Sequence, residues 1–435
     1  MALFPQDALE PGVRKREVFG WAMYDFANSG YTTVVLTAVF NAYFVGVVAG
    51  GADWATLAWT LTIAVSSAVV MLTLPALGAW ADLRGAKKKL LALFTAACVL
   101  GTAALAAVGP GDLWLAVLAV AVSNIAFSYG ESMIAAFLPE LARREALGRV
   151  SGWGWSFGYL GGMLALGASL AWVLAAQARG QTAAQFVPVT MLITAGIYAL
   201  AAQATFALLR ERAQPQPEAR HGHGIAASLR RLADTWREAQ HYRDFAWLLA
   251  CGACYQAGIS VVITLAAVYA EQAMGFKQAQ TMMLVFLVNI AAALGAFGFG
   301  YGQDRLGHRR ALALTLAGWV LMTVLAALAT GPALFWVAAV IAGLCMGSSQ
   351  SAGRAMVGLL APVTRRAEFF ALWTFATRAS VIVGPMTYGL ITWLTGGNHR
   401  VAILSTAVFF VGGWVLLRQV DTDRGAARAQ APEPA

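Results

Sequence analysis

The amino-acid sequence predicts an all-α membrane protein with about twelve transmembrane helices in two pseudo-symmetric six-helix bundles. Three observations predict it. Hydrophobic residues make up 59% of the 435 residues and charged residues only 12%, which excludes a soluble globular protein because such proteins carry far more charge. Lysines and arginines concentrate in alternate loops, which sets the topology. One charged loop motif occurs twice, which indicates two related halves.

Apolar segments long enough to cross a bilayer follow one another along the whole chain. A helix needs roughly 20 apolar residues for this, and short charged or Gly/Pro breaks separate the segments. The first half contains predicted spans at 19–48, 55–79, 90–108, 113–137, 150–175 and 187–209. The second half contains predicted spans at 245–270, 281–302, 311–330, 334–360, 369–394 and 401–417. In the fifth span, Gly154, Gly158 and Gly162 predict a close helix crossing.

The formal net charge of +9 reflects where the basic residues lie relative to the spans. When the N-terminus is placed inside, nearly all loop lysines and arginines fall on the same side. The opposite side has only Arg179, Lys277 and Arg400. The positive-inside rule then places both termini in the cytoplasm with an even number of spans. We therefore expect no nucleic-acid partner.

A polar strip divides the spans into two sets of six. Residues 213–224 read AQPQPEARHGHG, a Pro/Gly-rich run that cannot form a core. After it, Ile225, Leu229, Leu232 and Trp236 repeat at helical spacing, which predicts an amphipathic helix on the cytoplasmic membrane surface. We expect five regions: a cytoplasmic N-terminal segment (1–18), an N-terminal bundle (19–209), a linker with this helix (210–244), a C-terminal bundle (245–417) and a cytoplasmic tail (418–435).

The repeated loop motif has the same spacing in both halves. GAWADLRGAKK at 78–88 and GYGQDRLGHRR at 300–310 place Gly, Asp, Gly and two basic residues at matching positions. The glycines permit tight turns and close helix approach, and the aspartates can cap a helix N-terminus or meet an arginine. Such a contact, made in one conformation only, would bias a two-state equilibrium; loops that only hold orientation are the alternative. The candidate gate residues are Gly78, Asp82, Gly85, Gly300, Asp304, Arg305 and Gly307.

This loop resembles the signature between the second and third helices of the major facilitator superfamily, which is repeated between the eighth and ninth. The resemblance covers residues from about 17 to 420 and implies two six-helix bundles around a central cavity. In the superfamily an arginine usually follows the aspartate, whereas Leu83 stands there in the first copy and Arg305 in the second. The departure weakens the expectation of a charge relay in the N-terminal half.

A narrower resemblance concerns the stretch WAMYDFANSGYTTVV from Trp21 and the later stretches GSSQSAGRAMVGLLAP and RRAEFFALWTFATRASVIVGP. They are similar to bacterial facilitators related to the fungal vacuolar amino-acid effluxers linked to autophagy. The similarity implies a transporter in a bacterial inner membrane, with amino-acid transport and efflux as family expectations. The motif positions are Tyr24, Asp25, Asn28, Ser29, Gln350, Arg354 and Glu368.

Four ionisable residues fall well inside predicted spans: Asp25, Glu131, Arg354 and Arg378. Each costs at least ~2.5 kcal/mol in a bilayer, so such side chains usually face an interior cavity and mark a solute or ion path. Polar residues accompany each at helical spacings, which predicts polar stripes around a water-accessible cavity between the halves. The predicted substrate-binding residues are Tyr24, Asp25, Asn28, Ser29, Asn124, Tyr255, Gln350, Arg354, Trp373 and Arg378.

Two roles are open for these charges. In one, an arginine binds a solute carboxylate while an acid binds its amine or carries a proton. In the other, the acids pair with the arginines only to close the cavity or hold the bundles together. A carboxyl group in a medium of low dielectric holds a proton more tightly than in water, which proton coupling requires. We assign Glu131 to proton coupling, and Asp25 to the solute, a gate or a proton.

The sequence favours a secondary active transporter that moves a small polar solute, amino-acid-like or an organic anion, by alternating access, with protons as the candidate coupling ion. The alternatives are a non-transporting sensor or scaffold with a carrier fold, and an intramembrane enzyme, for which the spans contain no HExxH or GxSxG motif. The sequence contains no GxxxxGK[ST] loop for ATP. We expect no enzymatic activity, no catalytic residue, no cofactor and no metal site, contact with membrane lipid, and function as a monomer.

Overall fold

A computed structural model describes residues 4–215, 242–276 and 278–431 of the chain. Within these residues the regular structure is helical, apart from a single bridge between Leu9 and Ala142. Twelve of the described helices are long and apolar enough to cross a membrane, which confirms the predicted all-α membrane architecture. The amphipathic helix predicted in the linker lies outside the described residues.

The spanning helices are named α1 to α12 in chain order. The first six are α1 (Lys15–Val48), α2 (Ala55–Arg84), α3 (Lys87–Ala104), α4 (Leu113–Ala135), α5 (Leu147–Ala178) and α6 (Ala183–Leu208). The second six are α7 (Arg243–Gln272), α8 (Gln278–Leu306), α9 (His308–Leu328), α10 (Pro332–Leu360), α11 (Arg366–Leu394) and α12 (His399–Leu417). A short helix, α13 (Thr422–Gln430), follows the last span.

The helix α1 is not regular along its length. It widens into π-helix at Tyr31–Ala38 and again at Phe44–Val48. Within the first segment the Thr37 hydroxyl donates to the carbonyl of Thr32, five residues earlier, at 2.9 Å. Single π-helical turns inside α-helices occur frequently at functional sites, and this one begins soon after Asp25.

Small residues allow the helices of each bundle to pack closely. In the N-terminal bundle α1 packs along α5 and α6, and in the C-terminal bundle α7 packs along α11 and α12. A Cβ at Gly158 of α5 would lie 2.9 Å from the Ser29 hydroxyl, and one at Gly162 would lie 3.0 Å from the Thr33 hydroxyl, both on α1. The predicted close crossing of the fifth span is therefore present, and α1 is its partner.

The connections rich in basic residues lie together on one face of the protein, called the basic face below. Residues 4–14 lie there, where the backbone N–H of Glu10 donates to the carbonyl of Leu141 at 3.0 Å. Helix α13 lies on the same face, because its Asp423 carboxylate is 3.5 Å from the guanidinium of Arg144. Both described ends of the chain are thus on one side, as an even number of spans requires.

Candidate functional site

The two bundles contact each other at the basic face. There α2 packs against α11, and α5 packs against α8. A Cβ at Gly78 of α2 would lie 2.7 Å from the carbonyl oxygen of Ala367 at the start of α11. A Cβ at Gly300 of α8 would lie 2.8 Å from the carbonyl oxygen of Gly148 at the start of α5. These spaces are too small for any side chain, so the first glycine of each motif copy brings the main chains of the two bundles together.

Each motif aspartate holds the first turn of a helix in the opposite bundle. The Asp82 carboxylate accepts a hydrogen bond from the backbone N–H of Glu368 in α11, 3.1 Å away. The Asp304 carboxylate accepts from the backbone N–H groups of Gly148 and Arg149 in α5, at 2.9 and 3.2 Å. Carboxylates are favourable there because the first-turn N–H groups have no intrahelical partner and the helix dipole is positive at this end.

Asp304 also meets an arginine, but it is not Arg305. The Arg149 Nε lies 3.3 Å from the Asp304 carboxylate, whereas Arg305 is exposed. Adjacent residues on a helix do not face each other, and the gate role of Arg305 stays a prediction. Gly85 and Gly307 end the two motif helices with φ values of +57° and +87°, a conformation that favours glycine.

A buried ion pair joins the bundles deeper in the interface. The Arg354 Nη1 on α10 lies 2.6 Å from the Asp25 carboxylate on α1, with side chains only 8% and 11% exposed. The same guanidinium donates to the Ser151 hydroxyl at 3.1 Å and to the Ser151 carbonyl at 2.8 Å. It also lies over the rings of Trp21 and Trp155, 4.8 and 5.3 Å from their centroids. Two helices of the N-terminal bundle thus hold one arginine of the C-terminal bundle.

A glycine in α5 provides the space for this ion pair. A Cβ at Gly154 would collide with the Arg354 guanidinium, and it would lie 2.5 Å from the Asp25 carboxylate. Ser151 is nearly one helical turn earlier on the same helix, and its side chain is fully buried. Sequence reasoning found Gly154 as a packing residue and missed Ser151, because a lone serine in an apolar span carries no distinct pattern.

A second ion pair lies farther from the basic face. The Arg378 Nη2 on α11 lies 3.5 Å from the Glu131 carboxylate on α4. Arg378 is twelve residues after the start of α11, whereas Arg354 is six residues before the end of α10; at 1.5 Å per residue these are depths of roughly 18 and 9 Å. The Glu131 side chain is 41% exposed and that of Arg378 15%. Because the two side chains meet across the bundles, the exposed part of Glu131 faces the space between them.

Three of the predicted solute residues, Tyr255 of α7, Gln350 of α10 and Trp373 of α11, contact other helices of the C-terminal bundle. The Gln256 amide of α7 donates to the Gln350 side-chain oxygen of α10 at 2.7 Å. Tyr255 is fully buried and packs against Trp373, with 6.4 Å between the ring centroids. The Tyr255 hydroxyl has no hydrogen-bond partner among the described residues. Gln350 and Trp373 are partly exposed, so these two remain candidates for solute contact, whereas Tyr255 is enclosed in this conformation.

The asparagines near Asp25 and Glu131 are buried, and Ser29 is half-buried. Asn28 is 5% exposed, and the Ser29 hydroxyl donates to the Asp25 carbonyl at 2.8 Å. Asn124 of α4 is 1% exposed, and neither polar atom of its amide has a partner in the part of the chain that the structure describes. A buried amide without partners costs free energy, so Asn124 is a group that a polar solute or another conformation would satisfy.

Tyr24 does not reach the space between the bundles. Its side chain is fully buried in the N-terminal bundle, and its hydroxyl lies 3.0 Å from that of Thr95 and 3.2 Å from that of Tyr198. It precedes Asp25 by one residue, which turns it about 100° around α1 from the carboxylate. Tyr24 is therefore enclosed in this conformation, and its contact with a solute stays a prediction.

Comparison with known proteins adds three findings. A sequence model of the family described as "Vacuole effluxer Atg22 like" matches residues 43–430. A Bacillus subtilis (strain 168) protein, described as the uncharacterized MFS-type transporter YxiO, is 28% identical over 409 residues, which are 91% of this chain and 93% of that protein. Autophagy-related protein 22-1 of Aspergillus fumigatus is 24% identical over 305 residues, 65% of this chain but only 49% of the fungal protein.

A search of solved structures finds similar folds. The crystal structure of the human organic anion transporter MFSD10 (TETRAN) superimposes with a TM-score of 0.74 and covers 93% of this chain and 99% of that one. The sequences are 14% identical, so the similarity concerns the fold alone.

Proposed function

Because the chain belongs to the vacuole effluxer Atg22-like family and is a membrane transporter of the major facilitator type, we propose that it is a secondary active transporter for a small polar solute that carries a carboxylate. The solute class is an amino acid or a short organic anion, the mechanism is alternating access, and protons drive it. The membrane is a bacterial inner membrane with the basic face in the cytoplasm, where lysine- and arginine-rich loops are retained.

The observation that carries this proposal is the ion pair between Glu131 and Arg378. Arginine presents a fork of N–H donors that matches a carboxylate, and here one oxygen of Glu131 lies 3.5 Å from the Arg378 Nη2. A solute carboxylate competes with Glu131 for the same guanidinium. A proton on Glu131 removes its negative charge and weakens the competition, so protonation of Glu131 and binding of the solute favour each other.

The direction of coupling follows from this competition. A proton enters from the open side and neutralises Glu131, and the solute carboxylate then pairs with Arg378. After the bundles rearrange, Glu131 releases its proton on the other side. Its carboxylate then pairs with Arg378 again and displaces the solute. Proton and solute travel together, so a proton gradient directed into the cytoplasm drives uptake. The family description names efflux from a vacuole. Such efflux also moves solute into the cytoplasm, as the proposed uptake does.

The contacts at the basic face act as the closed gate of this conformation. Asp82 and Asp304 hold helices of the opposite bundle, and the Asp25–Arg354 pair lies beneath them. All of these contacts cross from one bundle to the other, so they must break before the basic face opens. We assign Asp25 to this gate, because its carboxylate is buried against Arg354.

Reconstituted protein tests the proton assignment. The purified protein is screened by thermal shift against amino acids and short organic acids, and each stabilising compound becomes the labelled probe for counterflow and for uptake driven by a pH gradient. The wild type is expected to show both activities. Glu131→Gln, which resembles the protonated carboxyl, is expected to keep counterflow and to lose the response to external acid. If its pH dependence equals that of the wild type, Glu131 does not carry the proton.

A second variant tests the solute assignment. Arg378→Gln is expected to weaken the affinity for the probe about 30-fold or more, since breaking a charge-assisted pair costs about 2–5 kcal/mol. Asp7→Asn is the control, because it removes an acid of the basic face that is 68% exposed and 3.4 Å from Arg149. That control is expected to change neither activity. If no compound stabilises the protein and no probe exchanges, the chain is a sensor or scaffold with a carrier fold.

A further inference from the structure

The basic residues that end the two motif copies have different surroundings. They are Lys87 and Lys88 at the start of α3, and Arg309 and Arg310 at the start of α9. The motif places each pair at the basic face, where α3 and α9 begin. Among the described residues, acids lie against the lysines, whereas none forms an ion pair with the arginines.

Two acids compensate the lysine pair. Lys87 is buried and forms an ion pair with Glu140, whose side chain is 7% exposed. The Lys88 side chain donates to the carbonyl of Leu209, just beyond the end of α6, and its backbone N–H donates to the Glu211 carboxylate at 2.7 Å. Both positive charges therefore lie against acids or carbonyl groups of the N-terminal bundle.

In the part of the chain that the structure describes, Arg309 keeps the carbonyl contact, and neither arginine of the pair has a matching acid. The Arg309 Nη2 donates to the carbonyl of Arg418, just beyond the end of α12, at 3.0 Å. In the N-terminal half, Glu211 stands two residues after Leu209, whose carbonyl accepts from the lysine. The buried Val420 stands at the same distance after Arg418. Arg309, Arg310 and Arg418 are exposed, and no ion pair joins any of them to a carboxylate of the described residues.

These three arginines line a pocket between α9 and α12. The pocket has a volume of about 380 Å³ and is lined by Arg309, Arg310, Ala313, Trp414, Leu417 and Arg418. The Arg418 guanidinium lies over the Trp414 ring, 4.3 Å from its centroid, which leaves its N–H groups free to bind an anion. Among the described residues the lining has three cationic side chains and no carboxylate, which suits the pocket to an external anion.

The other wall of the pocket continues into the apolar outer surface of the bundle. Leu314 of α9 is 54% exposed, and Val411 and Val415 of α12 are 44% and 50% exposed. In a bilayer these side chains face acyl chains, and Trp414 lies at the level where aromatic residues collect, between hydrocarbon and headgroups. The pocket is thus cationic towards water and apolar towards lipid.

We propose that this pocket binds the phosphate headgroup of an anionic phospholipid, with its acyl chains along α9 and α12. Basic pockets between transmembrane helices are suited to anionic headgroups, and arginine binds phosphate oxygens in bidentate geometry. A free phosphate would satisfy the three arginines but not the apolar wall, which favours the lipid. The inference is independent of the solute and of the coupling ion.

Native mass spectrometry of the full chain in detergent tests the proposal. Phosphatidylglycerol and phosphatidylcholine with identical acyl chains are the two lipid probes, and inorganic phosphate is the third. Tighter binding of phosphatidylglycerol than of phosphatidylcholine is expected. Arg310→Gln together with Arg418→Gln is expected to weaken phosphatidylglycerol binding about 25-fold, at about fivefold for each cation removed near a membrane surface. Phosphatidylcholine binding is expected not to change.

Two further variants control for structural damage and for a general surface charge effect. Arg310→Gln alone removes no hydrogen bond or ion pair of the described residues, and it is expected to weaken binding about fivefold without changing the thermal stability in detergent. Arg84→Gln removes another exposed arginine of the basic face, which lies 5.0 Å from the centroid of Trp80, and it is expected to have no effect.

Three results would overturn the proposal. Equal binding of the two lipids would show that the pocket does not recognise the headgroup. An equal loss for Arg84→Gln and for the double variant shows a general surface charge effect. Displacement of phosphatidylglycerol by millimolar phosphate assigns the pocket to a soluble anion.

Discussion

Removal of the charge of Asp25 is expected to open the basic face. Asp25→Asn leaves the Arg354 guanidinium buried without its counter-ion. Loss of one partner from a buried pair costs about 3–5 kcal/mol, and two unit charges about 4 Å apart at an effective dielectric of about 20 interact by about 4 kcal/mol. The lower end, about 3 kcal/mol, applies here because Ser151 still accepts two hydrogen bonds from the guanidinium. The fraction of open molecules should therefore rise about 150-fold.

A cysteine at position 351 reports this opening. Ser351 lies on α10 against α5, is 1% exposed, and has its hydroxyl 3.5 Å from the carbonyl of Gly148. A thiol there is shielded from a hydrophilic maleimide while the basic face is closed, and the labelling rate grows with the open fraction. The native cysteines to be replaced by alanine beforehand are Cys98, Cys251, Cys254 and Cys345.

Two controls decide whether the ion pair itself is responsible. Asp7→Asn removes the acid of an exposed pair with Arg149, and such pairs contribute no more than about 1 kcal/mol, so labelling should change by less than about fivefold. Asp25→Asn with Arg354→Gln removes both charges and should label more slowly than Asp25→Asn alone. If Asp25→Asn stays within the range of the Asp7→Asn control, the pair does not hold the basic face closed.

Four further substitutions separate conformation from folding. Gly152→Val, whose Cβ would collide with a carbonyl of α8 in the opposite bundle, should speed labelling of the same cysteine reporter with little change in thermal stability. Gly161→Val collides with α1 in its own bundle and should instead cost about 1–3 kcal/mol in denaturation. Lys87→Ala leaves Glu140 buried and unpaired and should lower the free energy of unfolding by about 3–5 kcal/mol, whereas Lys87→Met with Glu140→Leu should recover most of it. Asp304→Asn weakens a charged acceptor of two backbone N–H groups and should favour opening by about 1.5–3 kcal/mol, read as faster labelling.

The number and order of the spanning helices could be predicted from the sequence because lipid imposes a length of apolar chain on each of them. Helix ends could not be predicted as well. The apolar run of α2 is predicted to end at residue 79, but the helix continues to Arg84, since polar residues remain helical until Gly85 turns the chain with φ +57°. The π-helical parts of α1 have no distinct composition, because Thr and Val fit both helix types.

The charges of the site could be predicted as a set, but their pairing could not. Spacing along one helix gives the face and depth of a residue, and it does not tell which helices meet across the bundles. Asp25 therefore had two possible arginine partners until the structure placed it against Arg354. The contact of Arg149 with Asp304 could not be predicted for a different reason. In the sequence Arg149 is one of many basic residues at a loop, and only this contact distinguishes it.

A solute can compete directly for the Glu131–Arg378 pair, which is partly exposed, but not for the buried Asp25–Arg354 pair. A ligand shifts an equilibrium only by its differential affinity for the two conformations. If the solute binds Arg378 while the basic face is closed, that contact alone does not favour separation of Asp25 from Arg354. The missing free energy, about 3 kcal/mol, has to come from contacts that form as the bundles close on the opposite side.

Asn124 is suited to supply such a contact. It lies two helical turns from Glu131 on α4, away from the basic face, and both polar atoms of its buried amide lack partners among the described residues. A solute that pairs with Arg378 and reaches this amide satisfies groups that the empty protein leaves unsatisfied. The loaded transporter then opens its basic face more readily than the empty one. With the proposed proton coupling, we expect that the Asp25–Arg354 pair stays intact when Glu131 is protonated but no solute is bound, so that the proton does not leak across the membrane.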